Sequence, residues 1–458
     1  MTVAMKFGGT SVADADAMNR LASIVERQLK SQGAADRPPV VVVSALGGVT
    51  DRLAETARLA EEGQADRAVA NLHALLERHL AVASALASGA AATELGADIR
   101  REFDELIGLV HALAVLREVS PRSHDAVLAA GEVVSSRMVT AALSNRGIGA
   151  VWTDARAVVV TDAEHTAAAP DMAATRERAT ALLAPVAARG EVAVVGGFVG
   201  ATPNGITTTL GRGGSDYSAA ILGACLGVDE IQIWTDVDGM LTADPRIVSS
   251  PGVVPQLSFA EASELAYFGA KVLHPSTILP AVSKNIPVRI LNSRSPEKPG
   301  TLITADARQA DGRLTAIACK RDVTVVDITS TRMLMAHGFL RRLFEVFERF
   351  RTAVDVVTTS EVSVSITIDD VRRLDGIVEN LRHFAEVSIE KEMAIVCVVG
   401  ENLRLDATLF SRAVTALDRI PLRLVSQAAS RRNITFVLRD SDVVNAMTRL
   451  HAQFFGPR

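Results

Sequence analysis

At 458 residues and a formal net charge of −5 at neutral pH, the chain is long enough for two or three domains, since single cores stop growing near about 250 to 300 residues. Dispersed basic residues and only 4% aromatics speak against a nucleic-acid partner, and Cys225, Cys319 and Cys397 lie too far apart for a disulfide framework or a clustered metal site. No apolar run approaches the roughly 20 residues that span a bilayer and no signal peptide precedes the first strand, so a cytoplasmic protein without a membrane partner is expected.

Val3, Met5 and Phe7 read as a strand running into Gly8-Gly9-Thr10-Ser11, and a helix with Met18, Leu21, Ile24 and Val25 on one face follows. Bare glycines let backbone N–H groups approach an anion, and a helix N-terminus adds partial positive charge. Lys6 would sit beside bound phosphates, although a lysine before Gly-Gly is equally a solvated residue at a turn. The GxxxxGK[ST] pattern of a P-loop is absent, and GGFVG from Gly196 lacks the spacing of a dinucleotide fingerprint. A second glycine-rich segment, TTTLGRGGSDYSA from Thr207 to Ala219, also follows a strand-like run and precedes a helix-like one. Together the two specify a kinase site of another design.

Runs at Pro39 to Ala45, Ala150 to Trp152, Val192 to Phe198, Glu230 to Thr235 and Val288 to Leu291 read as buried parallel strands. Helical spacing between them is the mark of an α/β layered domain. Residues 66–118 form a long helical excursion with a bend at the small-residue stretch Ala81 to Ala92, and its role reads as structural. Pro296, Pro299, Gly300 and Gly312 then punctuate a polar boundary. Beyond it a β-α-β-β-α-β order occurs twice. Strands at Val323 to Ile328, Val354 to Thr358 and Val362 to Ile368 with helices at Gly338 to Arg349 and Val371 to Phe384 are followed by strands at Ile395 to Val399, Leu422 to Ser426 and Ile434 to Leu438 with helices at Thr408 to Leu417 and Val443 to Phe455. Two ferredoxin-like units are predicted.

Seven ordered segments resemble one family almost end to end. They are KFGGTSV from Lys6, SALGGVTDRL from Ser44, AAGEVVSSRM from Ala129, TTTLGRGGSDY from Thr207, IWTDVDGMLTADPR ending at Arg246, FGAKVLHP from Phe268 and VTTSEVSVSIT from Val357. This pattern resembles the single-function, lysine-regulated aspartate kinases of the amino-acid kinase family. The resemblance implies a catalytic domain over 1–303, a three-layer α/β fold with a mainly parallel central sheet, and two ACT domains over 321–390 and 391–458, with 314–319 supplying the first strand of the second. It implies ATP-dependent phosphorylation of the side-chain carboxylate of L-aspartate to 4-phospho-L-aspartate, the first step towards lysine, threonine and methionine. Feedback inhibition by L-lysine through the ACT domains, and a homodimer formed through them that a higher homo-oligomer could extend, are implied as well.

An acceptor carboxylate with a pKa near about 3.9 is already ionised at neutral pH, so catalysis rests on positioning and charge neutralisation. By resemblance, Lys6 meets the transferring phosphoryl group and Asp216 orients Lys6 or the water shell of Mg²⁺, which is bound mainly through the ATP phosphates with no direct protein ligand. Gly8, Gly9, Thr10 and Ser11 border the nucleotide phosphates, and Arg246 and Lys271 face them. Arg212 clamps the α-carboxylate of aspartate through paired N–H donors and Glu132 receives its α-ammonium group. Ser44 and Thr50 supply hydroxyls, unless Thr50 is simply an N-cap, and Gly213, Gly214 and Ser215 supply backbone donors. Thr235 and Asp236 lie along the base and ribose, with Leu241 where family members often carry Tyr.

The effector pocket is expected from Met333, Gly338, Phe339 and Leu340 on one wall and from Val354, Asp355, Thr359, Ser360 and Glu361 on the other. Asp355 would pair with the effector ammonium, and Ala336 stands where relatives often have Ser. A kinase for glutamate or acetylglutamate, and a silent amino-acid sensor, are the competing readings. Intact Lys6 and Asp216 speak against the sensor.

Overall fold

A computed structural model of the chain describes residues 2–31, 33, 36–211, 213–269, 275–305, 314–330, 337–427 and 431–456. The chain divides into two compact units. The first comprises Met1–Met240, Pro255–Phe259 and Val272–Ala307, and the second Leu241–Val254, Ala260–Lys271 and Arg308–Arg458.

The first unit is built on ten strands: β1 (Val3–Phe7), β2 (Val40–Val43), β3 (Ala150–Thr153), β4 (Val192–Gly196), β5 (Val199–Ala201), β6 (Thr207–Thr209), β7 (Glu230–Thr235), β8 (Gln256–Ser258), β9 (Val288–Asn292) and β10 (Thr301–Thr304). Eight of them form one sheet in the order β3-β4-β2-β1-β7-β9-β10-β8. The pairing is parallel from β3 through β9, antiparallel between β9 and β10, and parallel again between β10 and β8. β1 and β2 are buried along their whole length, which is why their sequences read as apolar runs without alternation. β5 and β6 make a separate antiparallel hairpin.

In the helical excursion, helices Ala65–Leu86 and Gly89–Leu116 break at Ala87 and Ser88, inside the stretch read as a bend. Helix Pro121–Asn145 begins at Ser120, whose hydroxyl accepts from the Ser123 N–H, with Pro121 in the first helical position. This is the one described helix long and apolar enough to cross a membrane, although Glu132 and Arg137 interrupt its apolar sequence. Of its apolar window, 78% is buried inside the fold, as in a core helix.

The second unit carries a single six-stranded sheet in the order β12-β13-β11-β14-β16-β15. Its strands are β11 (Leu314–Thr329), β12 (Val357–Thr359), β13 (Ser363–Ile368), β14 (Glu386–Gly400), β15 (Leu424–Gln427) and β16 (Asn433–Arg439). β11 and β14 are 16 and 15 residues long and pair antiparallel from Leu314 opposite Gly400 to Thr329 opposite Glu386. Their first and second halves therefore serve different ferredoxin-like units. One core gathers Phe339, Leu343, Phe347, Ile366 and Ile377, and another gathers Val396, Phe436, Met447 and Leu450.

Candidate active site

Ligands of open α/β sheets bind beyond the carboxyl ends of the parallel strands. Here the turns after β1, β2 and β4 meet the N-terminus of helix Gly214–Leu226 around a cavity of about 510 Å³. Lys6 points to it from β1, between the fully buried Met5 and Phe7. Its Nζ lies 2.7 Å from Oδ1 of Asp216, in the first turn of helix Gly214–Leu226, where negative charge is favoured by the helix dipole. Lys6 is the one lysine or arginine lining the cavity among the described residues.

Helix Pro121–Asn145 presents His124, Leu128 and Glu132 to the cavity, a stripe spaced by four residues. Glu132 is buried, and its Oε2 has no hydrogen-bond partner. Desolvation pushes its carboxyl up to about 8, against the opposing pull of the Ala45 backbone N–H and the Lys6 charge. A buried carboxylate with an idle oxygen facing a cavity is a receptor for a cation.

Backbone packing shapes the remaining walls. Gly8 N–H donates to the Trp234 carbonyl, tying the turn after β1 to β7, and Gly47 N–H donates to the Gly9 carbonyl, locking the turns after β1 and β2 together. A Cβ on Gly9 would lie 3.1 Å from the Ala45 carbonyl oxygen. Gly213 caps helix Gly214–Leu226 at φ +70°, a left-handed conformation that favours glycine. A Cβ on Gly214 would come 2.4 Å from the Phe198 ring and 3.1 Å from its Cα. Gly214→Ala is therefore expected to displace the amides at the mouth of this helix and to lower kcat/KM by about tenfold or more with the fold retained, which steady-state kinetics and circular dichroism check together.

Of the residues expected at the site, the structure brings Lys6, Gly9, Ser44, Thr50, Glu132, Gly213, Gly214, Ser215 and Asp216 to one cavity. Thr50 is not an N-cap: Gly48 holds that position at φ +79°, leaving Thr50 in the first turn of helix Val49–Glu61. Gly8 and Thr10 border the same turn without lining this cavity. The Ser11 hydroxyl is buried, 2.7 Å from the Ser293 hydroxyl. At the end of β7, Asp236 is exposed with the Thr235 hydroxyl donating to it at 3.3 Å, whereas Asp238 is held by Asn292 and Lys298, each at 2.6 Å.

Leu241 and Arg246 belong to the second unit, where the Arg246 guanidinium forks onto Asp244 in its own turn. Arg212, Lys271, Met333 and Ala336 lie outside the described residues.

Sequence reasoning missed several contributors. Thr166, Phe198, Thr209 and Gly211 line the cavity, and Asp125 lies buried behind them. Arg78, in the helical excursion read as structural, donates to the carbonyls of Gly47 and Ala13 at 2.9 and 3.1 Å and so braces the wall. Asp125 and Arg78 meet partners distant in sequence, so no local pattern marks them.

In the second unit, the expected effector residues divide. Leu340, Thr359, Ser360 and Glu361 are exposed, Val354 is half-buried, and Gly338 caps helix Phe339–Arg349 at φ +83°. Phe339 instead turns into the core against Phe384, because the first apolar position of that helix faces the sheet. The Asp355 side chain is only 2% exposed and paired: Lys320 Nζ lies 2.6 Å from its Oδ1 and the Tyr267 hydroxyl donates to the same oxygen at 2.9 Å. Lys320 also reaches Asp369 at 2.7 Å.

The amino acid kinase family matches residues 1–292 and the ACT domain family residues 396–454. The lysine-sensitive aspartokinase 3 of Escherichia coli strain K12 is 35% identical over 99% of this chain and 99% of its own. The chain belongs to the aspartokinases of the amino acid kinase family. Another such aspartokinase, the chloroplastic aspartokinase 3 of Arabidopsis thaliana, is 36% identical over 99% of this chain and 82% of its own length. Among solved structures, E. coli aspartokinase III in complex with aspartate and ADP matches with a TM-score of 0.84 at 35% identity, covering 99% of this chain and all of that one. The same aspartokinase in complex with lysine and aspartate matches at 0.81, covering 99% of each chain.

Proposed function

We propose that this aspartokinase transfers the γ-phosphoryl group of ATP to the side-chain carboxylate of L-aspartate and is inhibited by L-lysine through its C-terminal unit. The observation that carries the acceptor assignment is Glu132, a buried carboxylate with one unpartnered oxygen in the cavity that also holds Lys6 and Asp216. An amino acid with a free α-ammonium group satisfies it. Arg212 takes the α-carboxylate, Ser44 and Thr50 offer hydroxyls, and the amides of Gly213 to Ser215 face developing negative charge. The acceptor carboxylate, ionised at neutral pH, attacks the γ-phosphorus directly; one O–P bond forms as the bond to ADP breaks, with no proton to move. Lys6 neutralises the group in transit and Asp216 keeps its ammonium aimed.

Among the described residues no three His, Cys, Asp or Glu side chains converge as a metal cage. Asp216 beside the helix amides fits a magnesium ion that arrives with its own phosphate and water ligands. Bound with ATP, Mg²⁺ withdraws charge from the phosphate oxygens. Thr235 and Asp236 take the base and ribose, and Gly8, Gly9, Thr10 and Ser11 border the phosphates.

Asp355 is the anchor for the effector ammonium, with Leu340, Val354 and the hairpin Thr359 to Glu361 around it. Its present partner is the chain's own Lys320, so effector binding is an exchange of one ammonium for another. Lys320→Met is expected to lower the half-inhibiting lysine concentration several-fold, and Asp355→Ala to remove inhibition without changing uninhibited turnover. Lysine titrations of both variants check this; unchanged sensitivity in both removes Asp355 from the effector site. Edge strands β12 and β15, each paired on one side only among the described residues, support assembly of a homodimer through this sheet in a cytoplasmic enzyme.

The deciding experiment is aspartate-dependent acyl phosphate formation, trapped with hydroxylamine, in ATP and Mg²⁺ with and without L-lysine or L-threonine. Turnover suppressed by lysine supports both halves of the reading. Turnover indifferent to lysine keeps the kinase and reassigns the effector, and no turnover with any amino-acid acceptor overturns it.

A further inference from the structure

Asp125 does not line the cavity, yet its fully buried carboxylate ties together two segments that do. Oδ1 accepts from the Thr209 hydroxyl at 2.5 Å, Oδ2 accepts from His165 Nδ1 at 2.8 Å, and the Thr166 N–H lies 3.1 Å from both oxygens. The Ala168 N–H donates to the Thr209 carbonyl at 2.9 Å and completes the join. Thr166 is held at φ +72°, a left-handed conformation that a β-branched residue adopts only when its surroundings over-determine it. Its carbonyl oxygen lies 3.2 Å from where a Cβ on Gly211 would stand, and Gly211 is itself at φ +76°. Thr166, Thr209 and Gly211 all line the cavity, and residue 212 follows directly.

We propose that Asp125 is a positioning residue for the amino-acid acceptor. It holds Thr166 in a strained conformation against Gly211 and thereby sets the wall of the pocket that Thr166, Thr209 and Gly211 form. The helix that carries Asp125 also carries Glu132 seven residues on, so one rigid element fixes both the ammonium receptor and this wall. His165 closes the network from the other side, its Nδ1 2.8 Å from Oδ2 of Asp125. A backbone outlier such as Thr166 at a cavity wall is retained for what it positions.

The inference rests on the reading that this cavity binds aspartate, and the test separates the two. Full-length Asp125→Asn, His165→Gln and Thr166→Gly are compared with the parent for kcat, for KM of aspartate and of ATP, and for thermal unfolding. Asp125→Asn and Thr166→Gly are expected to raise KM for aspartate by about tenfold while KM for ATP stays within about twofold. Thr166→Gly is also expected to keep or raise the unfolding temperature, because glycine relieves the left-handed strain. His165→Gln, which keeps a donor but removes the imidazole that packs against Asp125, should raise KM for aspartate in the same direction. Stability and acceptor binding moving in opposite directions is a result that a purely structural network does not give. KM values for aspartate within about twofold of the parent in all three variants, or KM values for aspartate and ATP rising together, would overturn the proposal. Should Asp125→Asn fail to fold, Thr166→Gly carries the test by itself. A parent enzyme that shows no aspartate-dependent turnover overturns the underlying reading instead.

Discussion

Lys6→Ala is expected to lower turnover by at least about 10²- to 10³-fold while the protein remains folded. The transferring phosphoryl group and the acceptor both carry negative charge, and Lys6 is the one lysine or arginine on the cavity among the described residues. It stands 2.7 Å from Asp216, with both side chains less than 15% exposed, so the low-dielectric setting strengthens its field. Removing it leaves Asp216 without its counter-charge, which lowers stability as well as activity. The double variant Lys6→Ala with Asp216→Asn separates the two effects: it should recover much of the lost thermal stability and none of the turnover. Lys6→Arg should not rescue, because a planar guanidinium does not fit where a point charge follows a moving phosphoryl group. Trapped acyl phosphate and thermal unfolding of the three variants provide the check, and near-normal turnover in Lys6→Ala would remove Lys6 from the catalytic step.

The second large effect belongs to Glu132. Burial raises its carboxyl from an ordinary 4.5 to about 8, so in the empty cavity at neutral pH it is mostly protonated. The α-ammonium of aspartate replaces that proton, and two consequences carry definite signs. Aspartate should bind more tightly as pH rises from about 6 to about 8, with release of a proton that calorimetry in buffers of different ionisation enthalpy detects. Stability of the unliganded protein should change the opposite way. A carboxyl whose folded pKa lies above its unfolded one contributes stability that is complete below 4.5 and is lost as pH climbs through about 8. Glu132→Gln abolishes both slopes and raises KM for aspartate by about tenfold to a hundredfold at pH 8, with a smaller rise at pH 6. Equal aspartate KM for parent and variant across that range would show that the ammonium group goes elsewhere.

Much of this architecture was legible where a segment's own chemistry settles its fate. Strand β7 and helix Val443–Phe455 fall at their expected bounds, and the helical excursion breaks inside its small-residue stretch. Lys6, Glu132 and Asp216 were legible as a group through the ordered motifs, and the cavity brings them together. What escaped was settled by partners far along the chain. Asp125 looks like any helix acid until Thr209, 84 positions away, donates to it. Ser11 reads as a residue bordering the phosphates, and its own segment does not reveal that its hydroxyl meets that of Ser293, 282 positions away. Asp355 was recognised as a carboxylate that needs a cation, but the sequence alone does not reveal that Lys320 already fills that need.

The two long strands of the second unit have a mechanical consequence. β11 and β14 pair along nearly their whole length, and a slip of one residue would turn every side chain to the wrong face of the sheet. Sliding is therefore closed to them, and the two strands behave as a single beam shared by both halves. The pairing is irregular at three places, once near its start between Leu314 and Ala316 and then at two adjacent shifts, Lys320 to Val323 and Val323 to Val325. These two together make the joint of the beam, where Asp322 and Glu392 both take positive φ. Load applied to either half is carried to that joint as bending or twisting, and neither half can melt without stripping the other of two central strands. Lys320, whose ammonium grips Asp355 and Asp369, is rooted at the joint itself.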